Sequence, residues 1–412
     1  MKLPSRTETT PAIPQKSHPS ILSTALVACL AYLAFALTAN SWGLVLAPLS
    51  TQLHISVDTI GLLLAAWALS YLPGTLLGGM LFDRYGPRWV YVMALLLLLV
   101  GLMALYLGLL FRTTSFFVLL GCVGVAGIGG GIIDPISFSL IGGLFPEKRG
   151  SAMNLMSLLY PVGATLISLV DAVLFTLFPN DPRASLIFLV SYIAIVTISL
   201  LVVMPGRYMV KRMSEADTLS AQQKPVLFSS ALLLVILAAI FFGGLGVSFR
   251  NWIPTYLHLA YGQTPTTAAV FNGVISACSS ILRLASSILI ARLGSWRTLV
   301  MSAVVTLGAF IAVIFSPNLA LVSMMMTVAL FGSSSFNVLL ISVGAERVGR
   351  SYGTVSGMLL FVMGLNTAFC GWFLGWLLSK AGPSWLMIFF IACTLVGGAL
   401  VLCMRPTPKD SD

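Results

Sequence analysis

The feature that constrains this chain most is a series of long apolar runs, each bounded by charges, prolines or turn residues. A helix that crosses a bilayer needs about 20 consecutive apolar residues, and twelve runs reach that length. The first six cover Ile21–Leu49, Thr59–Phe82, Val90–Phe111, Phe116–Leu144, Gly150–Phe178 and Ala184–Pro205. The second six cover Phe228–Leu259, Thr267–Leu293, Thr298–Ser316, Leu319–Val343, Gly353–Ser379 and Leu386–Met404. Hydrocarbon offers no water to backbone N–H and C=O groups, so each run must satisfy its own hydrogen bonds as a helix. The pattern predicts an all-α membrane protein of twelve spans. Composition agrees, because 8% of the 412 residues are charged and 58% are hydrophobic, whereas soluble proteins carry about a quarter charged residues. A soluble enzyme, a disordered chain and a secreted disulfide scaffold are excluded together.

The polar segments give the domain plan. Residues 1–20 form a polar, proline-bearing tail and residues 406–412 a second one; residues 206–227 form a charged linker between a six-helix unit at 21–205 and another at 228–405. The first apolar run is too long for a signal-peptide core and reads as an uncleaved span. Of the 22 Lys and Arg residues, only Arg112, Arg183 and Lys380 fall in the loops of one side, and Arg250 and Arg283 fall within spans. The rest lie in the tails, the linker and the loops that share their side, which places both termini in the cytoplasm and the chain in the plasma membrane. Basic residues scattered singly in this way argue against a nucleic-acid partner despite the net charge of +10. The six cysteines lie inside apolar runs with no CxxC pair and read as small hydrophobes. No phosphate-cradling GxxxxGK[ST] loop, HExxH or GxSxG occurs, so the chain reads as neither an enzyme nor an ATP-driven pump, and no cofactor is expected.

Two turns repeat. The segment from Gly79 to Arg88 after span two, GMLFDRYGPR, has a counterpart in SILIARLG from Ser287 to Gly294 after span eight, with Arg84 matching Arg292 and Gly86 matching Gly294. Pro146-Glu147-Lys148-Arg149-Gly150 after span four is echoed by Ala345-Glu346-Arg347-Val348-Gly349 after span ten. Two homologous halves follow.

These residues resemble the major facilitator superfamily, whose first signature, G-x-L-x-D-R-x-G-x-R, is matched at Gly79, Leu81, Asp83, Arg84, Gly86 and Arg88. The resemblance covers Ile21 to Met404 and implies two pseudo-symmetric six-helix bundles around a central cavity, working by alternating access. It also implies that Asp83 meets the start of span eleven near Ser351–Gly353, latching the cytoplasmic side, with Arg84, Gly86, Arg88, Glu147, Arg149, Arg292, Glu346 and Arg347 in the gating turns. The run Gly131-Ile132-Ile133-Asp134-Pro135 and the stretch from Leu144 to Leu155 are similar to the fucose and hexose permease-type group, as is Val247 to Leu257 in span seven. In that group an acid of span four serves proton and sugar binding, which maps onto Asp134. Span one carries Asn40 where the group often has an acid, and Gly246 stands where another precedes the span-seven serine.

Four charges lie well inside spans: Asp134, Asp171, Arg250 and Arg283. Each is costly there unless paired or hydrated, which makes it a functional candidate. At ~1.5 Å of rise per residue, Asp134 and Arg283 lie roughly 15 Å from the cytoplasmic ends of their spans, and Asp171 and Arg250 roughly 32 Å. The depths suggest two opposite pairs, with Asp134 as the proton-coupling acid facing Arg283 across the cavity, and Asp171 and Arg250 as outer gating residues. Pro135 and the glycines before Asp134 suggest a locally irregular helix lining a cavity, or simple close packing against a neighbour. Asn40, Asn154, Tyr160, Asn251, Trp252, Tyr256, Asn337 and Asn366 supply amides for hydroxyls and aromatic faces for apolar ring surfaces. The expected function is proton-coupled uptake of a small polar, sugar-like solute by a monomer in the bilayer. Export of an organic anion or amphiphilic drug is the second reading, and a non-transporting membrane sensor of the same fold the third.

Overall fold

The computed structural model describes residues 21–111, 115–145, 149–204, 230–316, 318–348 and 352–404, with the side chains at 83, 149–151, 154, 230–232, 283–291, 345–348 and 352–357 outside that description. All regular structure among these residues is helical: α1 (Ile21–Leu53), α2 (Val57–Tyr85), α3 (Pro87–Phe111), α4 (Phe116–Leu144), α5 (Arg149–Ser157), α6 (Leu159–Leu177), α7 (Pro182–Val203), α8 (Ser230–Phe242), α9 (Leu245–Tyr261), α10 (Pro265–Leu293), α11 (Ser295–Ile314), α12 (Leu319–Ser334), α13 (Phe336–Val348), α14 (Tyr352–Ala381) and α15 (Pro383–Cys403). They make twelve membrane spans, the fifth from α5 and α6, the seventh from α8 and α9, and the tenth from α12 and α13. The number of spans and their places match the apolar runs to within a few residues, because the length of an apolar run is itself the physical requirement for crossing.

The helix boundaries follow local chemistry. Pro87, Pro182, Pro265 and Pro383 open helices, where the missing N–H costs nothing and the fixed φ already suits the first turn. Gly86 ends α2 at φ 78°, ψ 166°, and Gly294 ends α10 at φ 79°, ψ 166°. These are the repeated glycines, so the repeat extends from letters to backbone angles that side chains with a Cβ rarely adopt. The six cysteines are all free thiols.

The two halves are intimate at the end where span one finishes and span two begins, here called the distal end. There α1 meets α9, α2 meets α14, and α6 meets α10. A Cβ on Gly43 would stand 2.8 Å from Asn251 Cα, one on Gly61 2.7 Å from the Gly371 carbonyl oxygen, and one on Gly375 2.8 Å from the Val57 carbonyl oxygen. Backbone lies on backbone across the two halves, an approach that only glycine allows.

Three spans are interrupted, and none of the interruptions falls where the sequence suggested. Span four runs unbroken as α4 through Pro135. A proline there removes one N–H, and its φ fits the helix that follows. The glycines ahead of Asp134 serve packing: Cβ atoms on Gly127 and Gly129 would press into the backbone of α2 at Trp67 and of α3 at Ala94. The real breaks are at Leu158, at Gly243–Gly244 and at Ser335, with Gly244 in the left-handed region at φ 70°. Freed backbone groups at the span-seven break find side chains: Asn366 Nδ2 donates to the Gly243 carbonyl and the Gly244 N–H donates to Asn337 Oδ1. A stacked pair, Phe242 on Phe336 at 4.2 Å, joins the breaks of spans seven and ten.

Candidate functional site

A cavity of about 250 Å³ lies between the halves. Its first-half wall comes from α1, α2, α4 and α6 through Tyr32, Phe35, Ala39, Leu64, Trp67, Ala68, Tyr71, Asp134 and Tyr160. The second-half wall comes from α9, α13 and α14, including Val247, Ser248, Asn251, Trp252, Asn337, Met363 and Thr367. The first wall is largely aromatic and the second carries most of the uncharged polar groups.

Asp134 is the only charged residue of the described lining. Tyr71 of α2 donates its hydroxyl to Asp134 Oδ2, and the Tyr32 hydroxyl of α1 reaches the same carboxyl group. Gly130 lies one helical turn before Asp134 on the same face of α4, where a Cβ would stand 3.0 Å from both the Phe35 and the Trp67 ring. The missing side chain lets those rings settle beside the carboxylate. Phe35 then stacks on Tyr71 at 5.9 Å and 20°, and contacts Tyr32 at 5.7 Å and Tyr160 at 5.9 Å. Neither the hydroxyls of Tyr32 and Tyr71 nor the rings of Phe35 and Trp67 had been singled out from sequence. Aromatic residues inside apolar spans look like packing, and only their spacing from Asp134 in three dimensions separates the two roles.

On the facing wall, Trp252 Nε1 is buried without a hydrogen-bond partner among the described residues, and the Ser248 hydroxyl has the Cys370 thiol as its neighbour. A buried donor without a partner is rare and costly, so its position on a cavity gives it an evident use. Asn251 also lines the cavity, while its backbone is what Gly43 packs against.

Arg250 requires a correction. It does not stand near the outer surface with Asp171. Its Nη1 donates to Asn40 Oδ1 at 3.3 Å, and its guanidinium lies 5.7 Å from the centre of the Tyr160 ring, so it ties α9 to α1 and α6 beside the cavity. The depth count failed because span seven is not one continuous helix but is broken at Gly243–Gly244. Asp171 is fully buried within the first half with the Ser185 hydroxyl of α7 as its side-chain neighbour, and no described cation forms an ion pair with it. The two charges therefore make no pair.

Of the other candidates, Asp134, Tyr160, Asn251, Trp252 and Asn337 come together at the cavity. Asn40 and Asn366 are spent on Arg250 and on the backbone of the span-seven break. Tyr256 lies outside the lining, against Tyr261 at 6.2 Å. Arg88 Nη2 donates to the Leu201 carbonyl at 2.8 Å, capping the end of α7, while Arg84 lies over the Tyr85 ring and Arg292 is exposed. Glu147 and the side chains of Asp83, Arg149, Asn154, Arg283, Glu346 and Arg347 lie outside the described residues. So do Ser351 and the linker at 206–227.

A family model described as Major Facilitator Superfamily matches residues 24–369. No curated protein matches the chain in sequence. Among solved structures, the partially occluded inward-open xylose transporter XylE from E. coli superposes with a TM-score of 0.76 at 15% identity, covering 94% of this chain and 100% of that one. A D-xylose-proton symporter gives 0.76 at 16% identity over 95% and 99%. The nucleoside transporter NupG, solved as a point mutant, gives 0.73 at 14% identity over 94% and 100%. At these identities the likeness is one of fold.

Proposed function

Because the chain belongs to the major facilitator superfamily, we propose that it moves a small polar, sugar-like solute across the plasma membrane by alternating access, taken up with protons through Asp134. It is a transporter rather than an enzyme. The observation that carries the substrate class is the division of the cavity. One wall offers aromatic faces to an apolar ring surface, and the other offers Ser248, Asn251, Trp252, Asn337 and Thr367 to hydroxyl groups. Its volume of about 250 Å³ falls below the roughly 300–1,000 Å³ of pockets for drug-sized ligands, which favours a single-ring solute over an amphiphilic drug. The similar structures are those of xylose and nucleoside transporters, in keeping with small polar solutes.

In this reading 21–205 and 228–405 are two six-helix bundles joined by a cytoplasmic linker, the monomer is the working unit and the distal end faces outward. The conformer is then the one closed to the outside. The Asp83 latch would act at the opposite side, against the start of span eleven. Asp134 carries the coupling because it is the single acid of the described lining, and its tyrosine partners leave the carboxylate able to exchange a proton with solvent in the cavity. Asp134→Asn is expected to abolish proton-driven accumulation and to spare solute exchange in liposomes without a proton gradient. Equal loss of both activities would assign Asp134 to structure instead. Substrate class is tested by thermal stabilisation of the purified protein across pentoses, hexoses, nucleosides and organic anions at two pH values.

A further inference from the structure

We infer that a second cavity, on the distal side of the glycine seal, binds a short uncharged polyol of the glycerol type, and that its occupant holds the distal end shut. The second part requires alternating access, but neither part requires a sugar-like solute or a role for Asp134.

This cavity measures about 90 Å³ and takes its walls from both halves: the end of α1, the start of α2 and the last turns of α9. Ala47 stands one helical turn beyond Gly43, and Thr255 one turn beyond Asn251, so the cavity sits next to the place where the backbones of the two halves touch. Its surface is apolar at Leu46, Val57, Ile60 and Leu259, and polar at Ser50, Thr51, Thr255 and His258. The described lining contains no Asp, Glu, Lys or Arg.

The polar groups suit hydroxyls. Thr255 is 2% exposed, and its Oγ1 has no hydrogen-bond partner among the described residues. Thr38 and Thr197 donate to the carbonyl four residues back. Thr255 leaves that bond unmade, although a buried hydroxyl without a partner is costly. His258 donates its Nδ1 proton to the Gln263 carbonyl at 2.7 Å. A carbonyl only accepts, so the neutral ring keeps Nε2 bare as an acceptor. Ser50 and Thr51 donate to the carbonyls of Ile55 and Ala47, and their oxygens keep lone pairs to offer. The site thus combines three acceptors with one unengaged hydroxyl, and a polyol supplies both donors and acceptors to match them. A charged ligand finds no opposite charge in this lining and is costly to desolvate. Volume then sets the length: at about 30 Å³ per water, the cavity has room for three waters, which a three-carbon polyol fills and a sugar ring exceeds.

Because both halves supply walls, the site is complete only while the distal end is closed. A ligand that binds one of two states raises the population of that state. A polyol bound here therefore acts as a brake on reopening, from a position the sugar-like solute is too large to enter.

The binding test uses the full-length protein in lipid nanodiscs, with glycerol as probe and sorbitol, too long for the cavity, as control at equal osmolality. Saturation-transfer NMR is expected to give a saturable signal for glycerol and none for sorbitol. Thr255→Val removes only a hydroxyl that has no partner, so it should fold, and it is expected to weaken glycerol by about three- to tenfold. The brake is tested in cells carrying Ala39→Cys, a reporter in the central cavity, with an impermeant thiol reagent added from outside. Glycerol is expected to slow labelling by about threefold or more, sorbitol to leave it unchanged, and Thr255→Val to remove the glycerol effect. Equal signals from the two polyols, no saturable signal, as for a cavity that holds water alone, or an affinity unchanged by Thr255→Val overturns the site. Glycerol that binds without slowing the labelling overturns the brake. The comparison of polyols on the unaltered protein decides the matter if the variant does not fold. A reporter that never labels from outside counts against alternating access itself, and the NMR series then decides the site alone.

Discussion

At the scale of single residues, the absence of a side chain is as consequential here as its presence. Gly43 has its Cα against the backbone of Asn251, and an added Cβ would meet main-chain atoms that cannot rotate away. Gly43→Ala is therefore expected to hold the halves apart at the distal end and to raise the labelling rate of a cysteine placed at Asn40, measured with an impermeant thiol reagent added from outside. An unchanged rate would refute the role assigned to the contact. Asp171 leads to the opposite expectation. An ionised carboxylate buried without an ion-pair partner is costly, and an amide can keep the Ser185 contact, so Asp171→Asn should change stability by no more than about 1 kcal/mol and leave transport intact, as read by thermal unfolding and uptake. Sequence alone brought Asp134, Asn251 and Trp252 into view, because a charge or amide inside an apolar run demands an explanation. It did not single out Tyr32 or Tyr71, whose hydroxyls matter only because folding brings α1 and α2 against α4.

Among the helices, what could be read in advance was whatever depends on length and on caps. Twelve crossings follow from run lengths, and the paired turns at Gly86 and Gly294 follow from the repeated motif. The breaks in spans five, seven and ten could not be read, since a helix interrupted inside a membrane needs partners from other helices to satisfy its backbone. Asn366 is such a partner for Gly243. Asn366→Leu should leave a buried carbonyl unpaired, cost about 1–3 kcal/mol of stability and lower the unfolding temperature, whereas Asn366→Gln should recover part of the loss. Outside the bilayer, Asp181 caps α7 by accepting from the Arg183 N–H at 3.0 Å and pairs with its guanidinium. The Arg183 side chain bonded to Asp181 holds that carboxyl below its ordinary range. Its contribution is thus complete above the unfolded-state value near 4 and is lost as pH falls through the lower folded value. With both groups partly exposed, the effect is small, at most about 1 kcal/mol. Asp181→Ala should lower the unfolding temperature slightly at pH 7, and the difference from the unaltered protein should shrink toward pH 3.

For the whole molecule, the seal at the distal end has an electrical meaning. Glycine backbones lie directly on the backbone of the other half, which leaves little room for water at those contacts, and a dry barrier is an insulator. In the alternating-access cycle proposed above, membrane voltage drops across whichever end is sealed. Asp134 consequently shares the potential of one bath while the distal end is closed, and of the other once the halves have rocked. A charge fixed to its helix crosses the electric field without moving along the helix, because the field moves past it. One elementary charge is worth about 2.3 kcal/mol per 100 mV, so voltage biases the orientation of the empty, deprotonated carrier by up to that amount. A voltage jump on reconstituted protein should evoke a transient current without solute present. That current should differ in Asp134→Asn, where the field no longer acts on the carboxylate but still acts on Arg250 beside the cavity.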